Sequence, residues 1–349
     1  MRPRLLSKAG FALAAVSAGL ALRRRLKGRL RLRGSVVVVT GGSRGLGLAL
    51  ARALAMHGAH TVLFARDAGE LAAAEAELTG IGQDASVRVC DVSDVEQVER
   101  AVGSVLDEFG RVDVLINNAG IIQVGPALSM ELGDYEKSLD VNFWGVVHAT
   151  RAVLPQMLER RRGAIVNITS IGGKVSVPHL LPYSAAKFAM VGFSEGLHVE
   201  MAREGIHVLT VVPGLMQTGS HIQAEFKGKS EHEYAWFAAA ANAPGLAMPA
   251  DEAADRILQA LRQRRSEVIL GLPAKLLVRA HGLLPGLTLG VMRWANRLLP
   301  RSRRTGEGIQ GSEIQGERHS GVYGVLERAG RPNIQRYQRT SSSSASAAD

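Results

Sequence analysis

Short apolar runs rich in Val, Ile and Leu recur along the chain, and segments of helical character separate them. Such runs predict strands that are buried on both faces, and their alternation with helices predicts a parallel sheet covered on both sides. The predicted strands lie near residues 36–40, 60–65, 86–90, 112–116, 163–169, 207–212 and 267–270. We therefore expect an α/β fold with a doubly wound parallel sheet, as a single domain over residues 35–272.

The N-terminal segment, residues 1–34, has a different pattern. Residues 9–22 are apolar throughout, with three basic residues before them and seven after. A helix of this length measures about 21 Å, or about 27 Å if it starts at Leu5, against a hydrocarbon core of about 30 Å. An uncleaved anchor, a peripheral helix and a signal or targeting peptide all fit; the arginines directly after the apolar stretch favour the anchor. Their excess also predicts that the following domain faces the cytoplasm.

A second apolar stretch covers residues 273–299, with Arg279, Arg293 and Arg297 spaced along it and Pro285 interrupting any single helix. Two interpretations stay open: a helical segment packed over the core, or a helix pair that lies on a membrane surface. Residues 300–349 are enriched in Ser, Gly, Arg and Gln, which predicts disorder.

The net charge of +10 belongs to the two ends of the chain, because residues 35–299 alone have a net charge of −3. A basic surface that could bind nucleic acid is therefore not expected on the fold. Cys90 is the only cysteine, which excludes an intrachain disulfide and a cysteine-based metal site, and its place after a strand predicts core packing. Asn167 begins a formal glycosylation sequon, but it lies inside a predicted central strand.

A glycine-rich turn follows the first strand and opens a helix. Gly41 permits the tight turn, Gly45 lets the backbone approach a pyrophosphate, and Gly47 allows close packing of helix and sheet. The helix N-terminus supplies N–H groups for the phosphates. The turn has the sequence Gly41-Gly42-Ser43-Arg44-Gly45-Leu46-Gly47. This context predicts a dinucleotide site.

A tyrosine and a lysine with YxxxK spacing, Tyr183 and Lys187, lie one helical turn apart on a common face. The ammonium group is expected to lower the phenol pKa toward the range of a working proton donor or acceptor. Ser170 stands thirteen residues before the tyrosine, where an apolar strand ends, and its hydroxyl can hydrogen-bond a substrate carbonyl. The three residues predict acid–base chemistry beside the dinucleotide site.

Together these motifs resemble the short-chain dehydrogenase/reductase family over roughly residues 35 to 270, and the resemblance implies a Rossmann-like fold without a metal. The TGxxxGxG pattern begins at Thr40, NNAG is Asn117–Gly120, and the late PG element is Pro213-Gly214. The catalytic residues that the resemblance implies are Ser170, Tyr183, Lys187 and Asn142. The cofactor contacts that it implies are Gly41, Ser43, Arg44, Gly45, Leu46, Gly47, Arg66, Asp91, Val92, Asn118, Ala119, Gly120, Tyr183, Lys187, Pro213, Gly214 and Thr218.

The resemblance also bears on the choice of cofactor. Members that use NAD have an acidic residue at the end of the second strand, where this chain has Ala65. Arg66 follows and can pair with a 2′-phosphate, and Arg44 is a second basic residue in a position that NADP-preferring members use. We therefore expect NADP, although Asp67 lies close by and could instead begin the next helix.

The expected activity is an NADPH-dependent reduction of a carbonyl to an alcohol. Residues 215–248 are expected to cover the site, and their aromatic content suits either an apolar pocket or a lid packed on itself. His179, Leu180 and Leu181 are expected to line the same pocket. With the two apolar terminal segments, this composition predicts a lipophilic ketone, aldehyde or 3-oxoacyl-type substrate, and an enzyme at a membrane.

Three other functions remain open: an alcohol or hydroxysteroid-type dehydrogenase that runs in the oxidative direction, a non-catalytic NADPH-binding regulator, and a membrane scaffold, which would rest on the terminal segments alone. The resemblance further implies a homodimer or homotetramer that pairs through the helices in segments 134–158 and 183–204.

Overall fold

The computed structural model describes residues 30–243, 245–303, 306–314 and 335–338. Seven parallel strands form the main sheet in the order β7-β6-β5-β4-β1-β2-β3. This order confirms the predicted doubly wound sheet, since the chain runs outward from β1 in both directions. The strands are β1 Val36–Thr40, β2 His60–Ala65, β3 Ala85–Val89, β4 Val114–Asn117, β5 Gly163–Ile168, β6 Ile206–Pro213 and β7 Glu267–Leu270.

Helices cover both faces of the sheet because successive side chains of each strand point to opposite sides. Val37 and Val39 belong to the core on one face, and Val36 and Val38 to the core on the other. Buried Cys90 lies in the second core, and its burial raises the pKa of the thiol to about 11. The helices are α1 Gly45–Met56, α2 Ala68–Gly80, α3 Val95–Phe109, α4 Leu132–Leu139, α5 Gly145–Glu159, α6 Leu181–Met201, α7 Ser230–Asn242, α8 Ala250–Arg262, α9 Leu272–Leu283 and α10 Pro285–Ala295.

The described parts of residues 300–349 pack on the fold, where composition predicted disorder. Ile309–Gln310 pairs antiparallel with Glu225–Phe226, which also pairs with Gln123–Val124. Ile314 and Tyr337 are almost fully buried, each in a core cluster. The average composition of this segment is polar and hides its few apolar residues. Those few residues are the ones that attach the segment to the fold.

The N-terminal boundary also differs from the prediction. Leu32 is buried in the main core, and the backbone N–H of Leu30 donates to the carbonyl of Arg262 at 3.1 Å. The folded unit therefore includes residues 30–34, which the sequence assigned to the anchor. The apolar stretch at 9–22 lies outside the described residues. Within the described part of the chain, no helix has the length and apolar character needed to cross a membrane.

A buried polar chain crosses the middle of the molecule. Asn117 of β4 donates to Asn167 of β5 at 2.9 Å and to Thr150 of α5 at 3.2 Å. Asn167 donates to Ser194 of α6 at 2.9 Å, and the Ser194 hydroxyl lies 2.7 Å from that of Thr210 of β6. These bonds hold α6 at a fixed height on β5 and β6. The burial of Asn167 also agrees with the rejection of the sequon.

Replacing Asn167 should therefore destabilise the fold. We expect Asn167→Ala to lower the free energy of unfolding by about 1–3 kcal/mol, because Asn117 and Ser194 each lose a buried partner. Urea unfolding measures the change. Asn296→Ala, at an exposed position, is the control and should leave the free energy nearly unchanged. An equal effect of the two substitutions would contradict the role given to the polar chain.

Candidate active site

The predicted site residues meet at the carboxyl edge of the sheet, where the chain direction reverses between β1 and β4. Ser170 follows β5, the residues of the NNAG motif follow β4, and Thr218 follows β6. Ligands of doubly wound folds bind in the crevice at this edge. The topology thus brings together residues that are up to 177 positions apart in sequence, from Gly41 to Thr218.

The glycines of the glycine-rich turn, although mostly buried, meet two different steric constraints. Gly45 opens α1 with a φ of +57°, and a Cβ on it would have no neighbour closer than 3.8 Å. Gly47, by contrast, has no room for a side chain, because a Cβ there would stand 2.0 Å from the Gly41 carbonyl oxygen. Among the described residues no side chain caps the N-terminus of α1, so its first N–H groups face the crevice.

The NNAG motif supports this turn. Asn118 donates to the carbonyls of Thr40 and Gly41 at 3.1 and 3.0 Å. The Thr40 hydroxyl accepts from the backbone N–H groups of Asn118 and Ala119 at 3.0 and 3.1 Å. The Asn118 side chain therefore holds the glycine-rich turn in place, and Ala119 lies against Gly41.

The helix α6 presents the two residues of the YxxxK motif. Pro182 at its start has the fixed φ that suits a first helical turn. The Ser170 hydroxyl lies close enough to the Tyr183 hydroxyl to oppose the rise of its pKa. A Cβ on Gly172 would stand 3.4 Å from both the Ser170 Oγ and a ring carbon of Tyr183, so the two side chains converge on one point. This arrangement agrees with the predicted role of the pair.

Lys187 lies behind the tyrosine and is only 4% exposed. Its Nζ is 5.7 Å from the centre of the Tyr183 ring and donates to the carbonyl of Ile168 at 3.1 Å. A Cβ on Gly120 would stand 3.6 Å from this Nζ and 2.7 Å from the Asn142 Oδ1. Asn142 therefore lies beside the lysine, as the resemblance implies.

Asn142 sits in a short π-helical turn, Asp140–Trp144, between α4 and α5. Its amide donates to the carbonyls of Ile121 and Ser138, both at 3.1 Å, and its Oδ1 accepts from the Ile121 N–H at 3.3 Å. Single π-helical turns are frequent at functional sites. These contacts fix the orientation of the side chain.

The electrostatics of the pair differ from the prediction. Burial raises the pKa of Tyr183 above its usual 10, and the hydrogen bond from Ser170 opposes this rise. Burial lowers the pKa of Lys187 to about 8. The sequence suggested that the lysine would lower the tyrosine pKa; in the protein alone the loss of solvation is the larger effect, because it acts on both groups.

At the adenosine end of the crevice, both predicted arginines have carboxylate partners. Arg44 is paired with Glu70, which also accepts from the Ser43 hydroxyl at 2.8 Å. The Arg66 guanidinium, more than half exposed, is 3.7 Å from the Asp91 carboxylate. The sequence reasoning missed Glu70, although an acid three residues after a helix-capping Asp is a recognisable pattern.

Asp67 is that capping residue, since it accepts from the N–H of Glu70 at 2.8 Å. It begins α2, the second of the two roles that the sequence left open. Asp91 accepts from the Ser93 hydroxyl at 2.7 Å. The side chain of Val92 is turned into the core, and its carbonyl contacts His148 at 3.1 Å, so only its backbone is left to meet a ligand.

The residues after β6 close the other side of the crevice. Pro213 ends the strand, and the N–H of Gly214 donates to the carbonyl of Leu270 at 3.2 Å. Buried Thr218 lies beside Gly45, because a Cβ on the glycine would be 3.9 Å from the Thr218 Cβ. The threonine and the first turn of α1 therefore face each other across a narrow gap.

In the segment after β6 that was expected to cover the site, residues 220–243 pack largely on themselves. Phe226, Tyr234 and Phe237 are buried together, with ring centres 5.4 and 6.0 Å apart, and Tyr183 packs against this cluster. A buried carboxylate that the sequence reasoning missed, Glu233, accepts from Trp236 at 2.7 Å and pairs with His179 at 2.8 Å. His179 therefore ties the lid to the loop before Tyr183.

The residues of this crevice suit a dinucleotide that carries a 2′-phosphate, such as NADP. The uncapped first turn of α1 and the lack of a side chain on Gly45 suit a pyrophosphate. Ser43, Arg44 and Arg66 lie at the end where a 2′-phosphate would stand, and the half-exposed Arg66 has only a long contact to Asp91. Glu70 is a partner of Arg44 that an incoming phosphate would have to replace or share.

Comparisons with known proteins agree with this geometry. The model of the short chain dehydrogenase family matches residues 35–227. Dehydrogenase/reductase SDR family member 7B of Xenopus laevis is 34% identical over 278 residues, which cover 78% of this chain and 84% of that protein. The 3-oxoacyl-[acyl-carrier-protein] reductase of Synechocystis is 38% identical over 188 residues, which cover 54% and 76%.

The structure of a variant of actinorhodin polyketide ketoreductase with NADPH matches with a TM-score of 0.60 and 32% identity, over 68% of this chain and 95% of that chain. The sheet order and the presence of a glycine-rich turn after β1 thus agree with the sequence and structural similarity. The chain belongs to the short-chain dehydrogenase family.

Proposed function

We propose that the protein is an NADPH-dependent carbonyl reductase in which Tyr183 is the proton donor. The observation that supports this most directly is the convergence of Ser170 and Tyr183 on one point, with Lys187 and Asn142 behind them. The enzyme is an NADP-dependent short-chain dehydrogenase/reductase, and NADP is its cofactor. A non-catalytic regulator is disfavoured because each catalytic position has the residue that the chemistry needs.

Bound NADPH supplies the hydride to the carbonyl carbon. Ser170 donates a hydrogen bond to the carbonyl oxygen and orients it, and Tyr183 transfers its phenolic proton to the same oxygen. Lys187, whose Nζ lies near the tyrosine ring, stabilises the phenolate that this transfer leaves. Asn142, which is held by Ile121 and Ser138, would bind a water molecule that links Lys187 to solvent, and a proton would return to Tyr183 by this route.

The protonation states favour reduction over oxidation. The raised pKa of Tyr183 keeps the phenol protonated at neutral pH, which suits a proton donor. In the oxidative direction the tyrosine would have to act as a base, and its deprotonated form becomes available only as pH rises. The net direction is set by the balance of NADPH and NADP, and a mostly reduced pool would drive the reaction toward the alcohol.

Tyr183→Phe tests the mechanism, since it removes the proton donor and keeps the ring that packs against the lid. We expect turnover with NADPH and a ketone to fall by roughly 10² or more, while NADPH still binds. Tyr135→Phe, on α4, is the matched control and should keep its turnover. A Tyr183→Phe protein that is folded and fully active would refute the mechanism.

The preference for NADPH is assigned to Arg66 and to the lack of an acid at Ala65. The double change Ala65→Asp/Arg66→Ala adds a repelling carboxylate and removes a phosphate partner. We expect the ratio of kcat/KM for NADPH over NADH to fall by about tenfold or more, equivalent to about 1.4 kcal/mol. Arg100→Ala, an exposed arginine on α3, serves as the control. An unchanged ratio would place the discrimination elsewhere, with Arg44 the next residue to test.

The pair α9 and α10 supports a location at a membrane surface. Most of its large apolar side chains are exposed, among them Leu283 at 81%, Leu287 at 64% and Trp294 at 60%. Lys275, Arg279 and Arg293 lie on the same pair, Arg297 follows just after it, and these cations suit anionic headgroups. We infer that this surface rests on lipid, and that the segment at 9–22 anchors the chain with the catalytic domain on the cytoplasmic side.

This location suggests the substrate class. A lipophilic carbonyl, of the long-chain 3-oxoacyl, keto-lipid, retinoid or steroid type, would be concentrated at the same surface. The 3-oxoacyl reductase and the polyketide ketoreductase among the similar proteins support a ketone on an extended chain.

We also propose a homodimer or homotetramer that pairs through the helices of segments 134–158 and 183–204. Trp144 and Phe188 in these segments present large exposed apolar side chains that such pairing would cover.

Deletion and surface substitution together test the membrane proposal. We expect the full chain in the membrane fraction, and partial release when residues 1–29 are deleted. Adding Leu283→Gln, Leu287→Gln and Trp294→Gln should complete the release, because the apolar area that meets lipid is then lost. Flotation with vesicles of phosphatidylcholine and phosphatidylserine measures binding, and reduction of a small water-soluble ketone should persist throughout.

The double substitution Met56→Gln/Ile81→Gln, which changes exposed apolar residues elsewhere on the surface, is the control and should leave flotation unchanged. A full chain that stays in the soluble fraction after gentle lysis would overturn the anchoring and remove the main support for a lipid substrate.

A further inference from the structure

Residues 335–338 form a short segment that is held against α1 and α8 by specific contacts. Tyr337 is only 2% exposed and packs into the main core, with the Arg52 guanidinium 5.4 Å from its ring centre. Arg52 also donates to the carbonyl of Arg336 at 3.1 Å, and Arg336 pairs with Asp251 at 2.6 Å. The segment is therefore docked at one defined position.

This position brings Gln338 to the glycine-rich turn. Its Nε2 donates to the carbonyl of Thr218 at 2.7 Å, and the side chain is 7% exposed. A Cβ on Gly45 would stand 3.8 Å from this Nε2, and one on Gly219 would stand 2.6 Å from the Gln338 Cγ. The carboxamide thus lies in the gap between the first turn of α1 and the loop after β6.

We propose that Gln338 occupies the pyrophosphate position and sets the affinity for NADP(H) by competing with it. The inference rests on the proposed function in one respect, the placement of the pyrophosphate between Gly45 and Thr218. The carboxamide and a pyrophosphate cannot share a gap this narrow. The segment that carries Gln338 must therefore move before the cofactor is fully seated.

Gln338 is suited to be displaced. Its Oε1 is buried and has no hydrogen-bond partner among the described residues. A neutral carboxamide also makes little use of the partial positive charge at the start of α1, whereas a pyrophosphate makes full use of it. The Gln338 side chain fills the gap but makes few favourable interactions there. A pyrophosphate would interact more strongly with the N–H groups at the start of α1.

Competition of this kind has two measurable consequences. The apparent dissociation constant of NADPH equals the intrinsic constant divided by the fraction of protein in which the segment is undocked. By linkage, NADPH must loosen the segment to the same degree that the segment weakens NADPH. A residue that instead completed the cofactor site would give the opposite sign in both measurements.

Substitutions in the full chain test the competition through NADPH fluorescence titration, which does not depend on turnover. We expect Gln338→Ala and Tyr337→Ala to lower the dissociation constant by about threefold or more, because the docked state is weakened. Gln338→Glu should raise it, because a carboxylate competes better at the start of α1. Gln259→Ala, an exposed glutamine on α8, should have no effect.

Hydrogen exchange supplies the second measurement: NADPH should speed the exchange of the backbone amides of residues 335–338. Unchanged or weaker NADPH binding in Gln338→Ala, or slower exchange with NADPH, would overturn the proposal. Tyr337→Ala is interpreted only if its unfolding transition is intact, and Gln338→Ala decides the matter without it. Failure of the unmodified chain to bind NADPH would instead count against the proposed function itself.

Discussion

The buried polar chain from Asn117 through Asn167 to Ser194 is the interaction on which the arrangement of the active site depends. It links β4, β5 and α6 in a region that is otherwise apolar, where an unpaired amide is costly. Only one height of α6 on the sheet satisfies these groups. That height places Tyr183 beside Ser170, so hydrogen bonds away from the candidate site fix the distance between these two residues.

Around this fixed centre, the cofactor crevice is built from backbone more than from side chains. The glycine-rich turn can be this tight because Gly47 has no Cβ to meet the Gly41 carbonyl, and Asn118 and Thr40 bind its carbonyls and neighbouring amides. Backbone N–H and C=O groups bind the parts that NAD and NADP have in common, so they do not distinguish the two cofactors. Selectivity between cofactors is therefore left to side chains at the rim, where Arg44 and Arg66 already have carboxylate partners.

The terminal segments have a stronger influence on the site than their composition suggests. Residues 30–34 and the described parts of residues 300–349 pack on the domain, and one of those parts reaches the glycine-rich turn. The helices α9 and α10, by contrast, leave a broad apolar surface exposed. A compact catalytic core is thus combined with one segment that reaches the cofactor site and one surface that suits lipid.

The sequence alone determined the sheet, the glycine-rich turn and the candidate catalytic residues. Buried strands must be apolar, a turn against a phosphate must be glycine, and proton transfer needs a few residue types at fixed spacing. These requirements are local, so they are visible in a linear pattern. The strands were predicted to within two residues at their starts.

The tertiary structure decided what depends on contacts between distant positions. It paired Arg44 with Glu70, turned Val92 into the core, raised the pKa of Tyr183 by burial and brought Gln338 to Thr218, 120 residues earlier in the chain. Solvation and pairing depend on what surrounds a group in space. No spacing along the chain specifies those surroundings.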